Sequence, residues 1–114
     1  MDVRQILDQA TKHGASDIFV IAGRPLSYRV KGNMEALDEN RLFPADTYQL
    51  VTGLYALAER SIADFERTGD DDFSFAVPGI SRFRVNTFKQ RGSYSAVIRV
   101  ISFNLPSPVQ LQIP

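Results

Sequence analysis

Residues 71–92, DDFSFAVPGISRFRVNTFKQRG, have the pattern of two β-strands joined by a tight turn. In the first strand Phe73, Phe75 and Val77 alternate with small or polar residues, as expected where one face of a strand is buried. Between Val77 and Ile80, proline takes the second position and glycine the third, which is typical of a type II turn. The stretch therefore predicts an antiparallel hairpin.

The second strand of this hairpin separates apolar from polar side chains. One face holds Phe83, Val85 and Thr87, and the other face holds Arg82, Arg84 and Asn86. Arg91 and Gly92 then turn the chain into a further strand, expected from about Tyr94 to Ile101, which carries Arg99. We therefore expect several guanidinium groups on neighbouring strands of one sheet.

Outside the hairpin, the hydrophobic spacing alternates between helical and extended periods. Helices are expected from Val3 until Gly14 ends the first, from Pro44 through Ala58, and from about Glu59 to Arg67, and strands at Ser16–Ile21, Leu26–Lys31 and about Met34–Leu37, with a polar loop at Glu39–Phe43. Clustered strands and clustered helices favour an α+β fold, with a mostly antiparallel sheet of about six strands and about three helices packed on it. Pairing of two strands across the domain would make the arrangement PAS-like.

Length and composition limit the function classes. The chain has 114 residues with 13 basic and 13 acidic side chains, so no overall field attracts nucleic acid. It contains no cysteine and one histidine, His13, which excludes disulfides, thiolate metal sites and a histidine cluster. No apolar run approaches the roughly 20 residues of a membrane span, and the N-terminus has no signal-peptide core. A cytoplasmic domain without a membrane span is predicted.

The sequence predicts no catalytic or metal site. Neither the GxxxxGK[ST] phosphate loop nor the GxGxxG loop occurs, so we expect no bound cofactor and no ATP hydrolysis by this chain alone. Asp70, Asp71 and Asp72 suggest a metal or acid–base site, but strand alternation directs Asp71 away from its two neighbours. A solvated strand entry that resists edge pairing is the favoured interpretation.

Four arginines remain as candidate binding residues: Arg82, Arg84, Arg91 and Arg99. Guanidinium groups on one small surface repel one another unless an anion or acidic groups lie between them, and they bind phosphate oxygens bidentately. The same arginines could instead pair with the Asp70–Asp72 run or with Glu66. Spacing alone leaves both interpretations open.

Motifs in consistent order along nearly the whole chain resemble the N-terminal domain of PilT-type ATPases, which retract type IV pili in twitching motility. The matching segments are Gly14–Asp17, Gly23–Pro25, Arg29–Gly32, Glu66–Phe75, Val77–Gly79, Arg82–Asn86, Gln90–Gly92 and Gln110–Pro114. The chain departs from the family pattern at Phe19, where histidine is common, and in the loop Glu39–Phe43.

The resemblance implies a PAS-like N-terminal domain at residues 1–103, followed at 104–114 by the start of an interdomain connector, with the RecA-like ATPase domain absent from this chain. It implies a homohexameric motor at the cytoplasmic side of the inner-membrane pilus base, in which ATP and Mg²⁺ are held by the RecA-like domain. It also implies that Arg82, Arg84, Arg91 and Arg99 approach the ATP phosphates, with Arg84 and Arg99 as the firmest candidates. The alternative hypothesis is a free-standing PAS-like sensor or interaction domain.

Overall fold

The computed structural model describes residues 2–101. Three helices and six strands follow one another as α1 (Val3–Lys12), β1 (Ala15–Val20), β2 (Pro25–Val30), β3 (Asn33–Arg41), α2 (Pro44–Ala58), α3 (Ala63–Thr68), β4 (Asp70–Val77), β5 (Ser81–Gln90) and β6 (Ser93–Ile101). The predicted connector at 104–114 lies outside the described residues. No helix within 2–101 is long and apolar enough to cross a membrane.

All six strands form one antiparallel sheet in the order β3-β2-β1-β6-β5-β4. The first and last strands pair at the centre of the sheet, where Ile18 lies opposite Ile98. This pairing joins the N-terminal meander to the C-terminal meander and is the cross-domain contact expected of a PAS-like arrangement. The predicted α+β class, with six strands and three helices, is confirmed.

The helices pack on one face of the sheet, because their apolar stripes match the apolar face of the strands. Asp2 caps α1 by accepting a hydrogen bond from the backbone N–H of Arg4. A single core cluster joins the buried side of α1, the Leu50–Tyr55 stretch of α2, Phe65 of α3 and the inward positions of the strands. The opposite face of the sheet, called the open face below, carries the exposed arginines of β2, β5 and β6.

Two element boundaries differ from the sequence-based expectation. Strand β3 continues to Arg41, through residues expected to form a polar loop, because Pro25 of β2 still pairs with Arg41 across a bulge. Helix α3 begins at Ala63 rather than near Glu59, because Glu59 adopts a left-handed backbone (φ 55°) that ends α2. Strand pairing at Arg41 therefore lengthened β3, and the left-handed cap at Glu59 shortened the predicted third helix.

The β4–β5 turn was predicted correctly. The backbone N–H of Ile80 donates to the carbonyl of Val77 at 3.0 Å. Gly79 occupies the third position with φ 83°, a conformation that glycine adopts without steric cost. The turn fixes the register in which Phe75 lies opposite Phe83 and Ser74 opposite Arg84.

Candidate functional site

A row of charged side chains crosses the open face of the sheet. The strand register places Arg29 of β2 opposite Asp17 of β1, Asp17 opposite Arg99 of β6, and Arg99 opposite Arg84 of β5. We call these four residues the charge row. The predicted juxtaposition of Arg84 and Arg99 is therefore present in the described structure, and it arises at the centre of the sheet.

Arg99 is held by an acidic partner that is itself buried. Its Nε lies 3.5 Å from Oδ1 of Asp17, whose side chain is only 9% exposed while that of Arg99 is 69% exposed. The hydroxyl of Ser16 donates to the other Asp17 oxygen at 2.8 Å. A carboxylate fixed in this way orients the guanidinium but leaves most of it available to another anion.

Arg84 also has an acidic partner, but that partner is exposed. Its Nη2 lies 3.0 Å and its Nε 3.4 Å from the two carboxylate oxygens of Asp72. This contact lowers the pKa of Asp72 and raises the pKa of Arg84. The interpretation that the arginines pair with the Asp70–Asp72 run is thus realised for Arg84. Because both side chains are exposed, solvent and salt screen the pair, which can exchange for a stronger anion.

The other two candidate arginines lie at different distances from the charge row. Arg82 is two residues before Arg84 on β5, opposite Ala76 and Ile101, and it forms no salt bridge within residues 2–101. Arg91 lies in the β5–β6 turn, seven residues from Arg84, or about 20 Å at the usual strand rise. There it lines a small cleft with Arg24. The structure therefore brings Arg82, Arg84 and Arg99 together and keeps Arg91 apart.

The sequence and the fold can be compared with known proteins. A crystal structure of the pilus retraction motor PilT with bound ADP is 38% identical, with a TM-score of 0.78 over 100% of this chain and 33% of that chain. The type IV pilus retraction ATPase PilT of Pseudomonas aeruginosa is 38% identical over 102 residues, 89% of this chain and 29% of its own length. This chain is homologous to the N-terminal portion of PilT-type ATPases.

The type IV pilus ATPase PilU of the same organism is 32% identical over 114 residues, which cover all of this chain and 29% of PilU. No protein-family model matches the chain. The chain thus spans less than a third of the length of the PilT and PilU relatives that it matches. The predicted resemblance to this family is confirmed.

Asp17 and Arg29 belong to the site but were absent from the sequence-based candidates. In the sequence analysis both residues appear only inside family-like segments, Gly14–Asp17 and Arg29–Gly32. The guanidinium of Arg29 lies 5.3 Å from the ring centroid of Phe19, a cation–π distance. Only the pairing of β1 with β6, more than 70 residues apart, brings Asp17 to Arg99. Local spacing carries no signal for that contact.

Asp71 lies on the helix-covered side of β4 and contradicts the expectation that the acidic run is a solvated strand entry. Its side chain is 12% exposed, and both of its oxygens bind Arg60, at 2.9 and 3.0 Å. The hydroxyl of Tyr55 donates to Asp71 Oδ2 at 2.8 Å and lies 2.8 Å from the hydroxyl of Thr87. The Arg60 contact, followed by the Tyr55 hydroxyl, holds the pKa of Asp71 below its ordinary value. Asp71 therefore ties α2 to β4 and β5.

Proposed function

We propose that this chain is the non-catalytic N-terminal domain of a hexameric type IV pilus retraction ATPase. Its open face approaches ATP and Mg²⁺ held by a RecA-like domain of the same or a neighbouring subunit. Arg84 and Arg99, with Arg82 beside them, contact the phosphate oxygens. The motor works on the cytoplasmic side of the inner membrane, peripherally at the pilus base. Homology to PilT, which has been crystallised with ADP, supports this proposal.

The observation that carries the proposal is the position of Arg84 directly opposite Arg99 on adjacent strands. Two guanidinium groups at facing positions of a sheet repel each other, so this arrangement is unfavourable without an anion. The carboxylates that contact these arginines, Asp17 and Asp72, balance Arg99 and Arg84 alone, while Arg29 and Arg82 add two further guanidinium groups on the same face. A polyphosphate supplies the missing negative charge.

The two acidic partners give the two arginines different roles. Buried Asp17 keeps Arg99 oriented, so this guanidinium needs little rearrangement to meet phosphate. Exposed Asp72 holds Arg84 only until a more highly charged anion arrives, and Arg84 then exchanges the carboxylate for phosphate oxygens. Loss of the γ-phosphate returns Arg84 to Asp72 and weakens the closure of the two domains. This is a ligand-driven domain motion.

Arg91 takes no part in this contact as we propose it. It lies about 20 Å along the hairpin from Arg84, a separation too large for both to touch the same phosphate group.

The test compares arginine variants in the longer protein that joins this domain to its ATPase domain. Arg84→Ala and Arg99→Ala should each lower ATP turnover about tenfold or more, because each removes a charge-assisted contact made in a closed, dehydrated interface. Lysine at either position should rescue only part of the turnover, since ammonium lacks the bidentate geometry. Arg67→Ala is the matched control, because Arg67 is an exposed arginine of α3 paired with Asp64.

The melting temperature of each variant separates a functional from a structural role. The proposal requires turnover per folded molecule to fall while the melting temperature stays close to that of the parent. If instead the melting temperature falls and turnover per folded molecule is unchanged, the arginines only support the fold and the proposal fails. The coding sequence after Pro114 distinguishes the motor from the sensor alternative, because only the motor requires a Walker A motif there.

A further inference from the structure

Strand β3 is an edge of the sheet whose side chains are all exposed. It is the first strand in the order β3-β2-β1-β6-β5-β4, so only one side of its backbone pairs with a strand of residues 2–101. All nine of its residues, Asn33–Arg41, are exposed. Residues Asn33–Ala36 pair with β2 in regular register, whereas Leu37–Asn40 bulge out opposite Leu26. The regular part of this edge presents backbone N–H and C=O groups that can pair with another extended chain.

An apolar groove of about 810 Å³ runs beside this edge, between α1 and β3. The groove is lined by the buried side chains of Ile6, Leu26 and Leu42 and by two exposed apolar side chains, those of Leu37 and Phe43. Leu37 is 41% exposed and Phe43 is 69% exposed, which is unusual for large apolar side chains that share one groove. On the other side of the strand, Met34 is 53% exposed.

The rim of the groove is acidic. Four carboxylates line it, from Asp2, Asp38, Glu39 and Asp46, against the single guanidinium of Arg41. A little further along β3, Glu35 lies 3.0 Å from Nε2 of His13. These charges disfavour pairing of β3 with a second copy, because the two edges would bring Glu35, Asp38 and Glu39 of both copies close together. They favour a partner that carries positive charge.

We propose that the edge of β3 binds an extended segment with alternating apolar and basic side chains by strand addition. The backbone of the segment pairs with Asn33–Ala36, its apolar side chains enter the groove beside Leu37 and Phe43, and its basic side chains meet the rim carboxylates. This surface is separate from the proposed phosphate contact, since β3 and β5 are four strand positions apart, or about 19 Å. The inference therefore does not depend on the nucleotide role of the open face.

The experiment uses the whole 114-residue chain and a synthetic peptide of alternating lysine and valine, about ten residues long to match β3. Binding is followed by backbone amide NMR and by hydrogen exchange. We expect shift changes and new exchange protection in β3 and its neighbours, and none in β4, the other edge of the sheet. A glutamate–valine peptide should bind about tenfold or more weakly, because its charges meet the acidic rim.

Two N-methylated peptides test strand addition itself. A β-strand directs alternate backbone N–H groups to opposite sides, so methylation of every second residue should abolish binding in one register and preserve it in the other. Equal binding of both methylated peptides, equal binding of the glutamate peptide, or shift changes centred on β4 would each overturn the proposal.

A charge-reversal pair checks the rim. Glu39→Lys should weaken binding of the lysine–valine peptide about fivefold or more, because one attractive contact becomes repulsive. Asp64→Lys changes the net charge equally but lies on exposed α3, and it should leave binding unchanged. An unfolding curve for each variant confirms that both remain folded. If both variants weaken binding equally, the attraction is merely overall charge and the proposed site is wrong.

Discussion

Removing the hydroxyl of Tyr55 should destabilise the domain, because the buried hydroxyl of Thr87 loses its hydrogen-bond partner. The Tyr55 hydroxyl donates to Asp71 and accepts from Thr87, and Thr87 is fully buried. In Tyr55→Phe, Asp71 keeps both contacts with Arg60, but the Thr87 hydroxyl loses the partner it has within residues 2–101. A buried polar group left without a partner costs about 1–3 kcal/mol.

For a domain of this size, a loss of about 2 kcal/mol lowers the melting temperature by roughly 8–16 °C. The assay is urea unfolding of Tyr55→Phe, Thr87→Val and the double variant. Replacing both partners leaves no orphaned hydroxyl, so the double variant should be more stable than the sum of the two single losses predicts. Phenylalanine keeps the ring stacked on Phe65 and tilted against Phe73, so the packing changes little.

The reasoning is refuted if Tyr55→Phe changes the free energy of unfolding by less than about 0.5 kcal/mol, the usual range of neutral surface substitutions. It is also refuted if the two single losses are additive in the double variant, since additivity would mean that the two hydroxyls do not depend on each other.

Three further outcomes are expected. Phe75→Ala should cost about 3–5 kcal/mol in denaturant melts, whereas Ser74→Ala on the opposite face should be close to neutral; a loss below about 1 kcal/mol would show that Phe75 is not a core residue. The pKa of Asp71 in the folded state lies below its unfolded value of about 3.9, so the carboxylate stabilises the fold above that pH. This contribution should disappear as the pH falls through the depressed pKa. Unfolding curves of Asp71→Asn should lack this part of the acid dependence. The chain alone should release no phosphate from ATP beyond a protein-free control, and turnover that copurifies with the folded domain would contradict this.

The fold class could be predicted from sequence because each element carries its own local signal. Asp2 and the spacing of Ile6 and Leu7 mark α1, and Val77–Ile80 mark the β4–β5 turn. The extent of β3 could not be predicted, because its residues are polar and the strand resumes pairing with β2 only at Arg41, after a bulge at Leu37–Asn40. Tertiary pairing outweighed local propensity there.

The site was only partly predictable for the same reason. Arg84 and Arg99 lie on strands joined by a short turn, so counting from Arg91 and Gly92 gives their register. Asp17 reaches Arg99 only through the β1–β6 pairing, which depends on the whole sheet. Strand alternation separated Asp71 from its two neighbours already in the sequence, but its contacts with Arg60 and Tyr55 depend on how α2 and the residues after it pack on β4.

The most direct measurement of the proposed function is the structure of the longer protein with a non-hydrolysable ATP analogue and Mg²⁺. Guanidinium nitrogens of Arg84 and Arg99 should lie about 2.7–3.2 Å from phosphate oxygens, with Arg99 still beside Asp17 and Arg84 released from Asp72. A nucleotide-bound structure in which the domains are closed, yet Arg84 remains paired with Asp72 and both guanidinium groups face solvent, would contradict the proposed function.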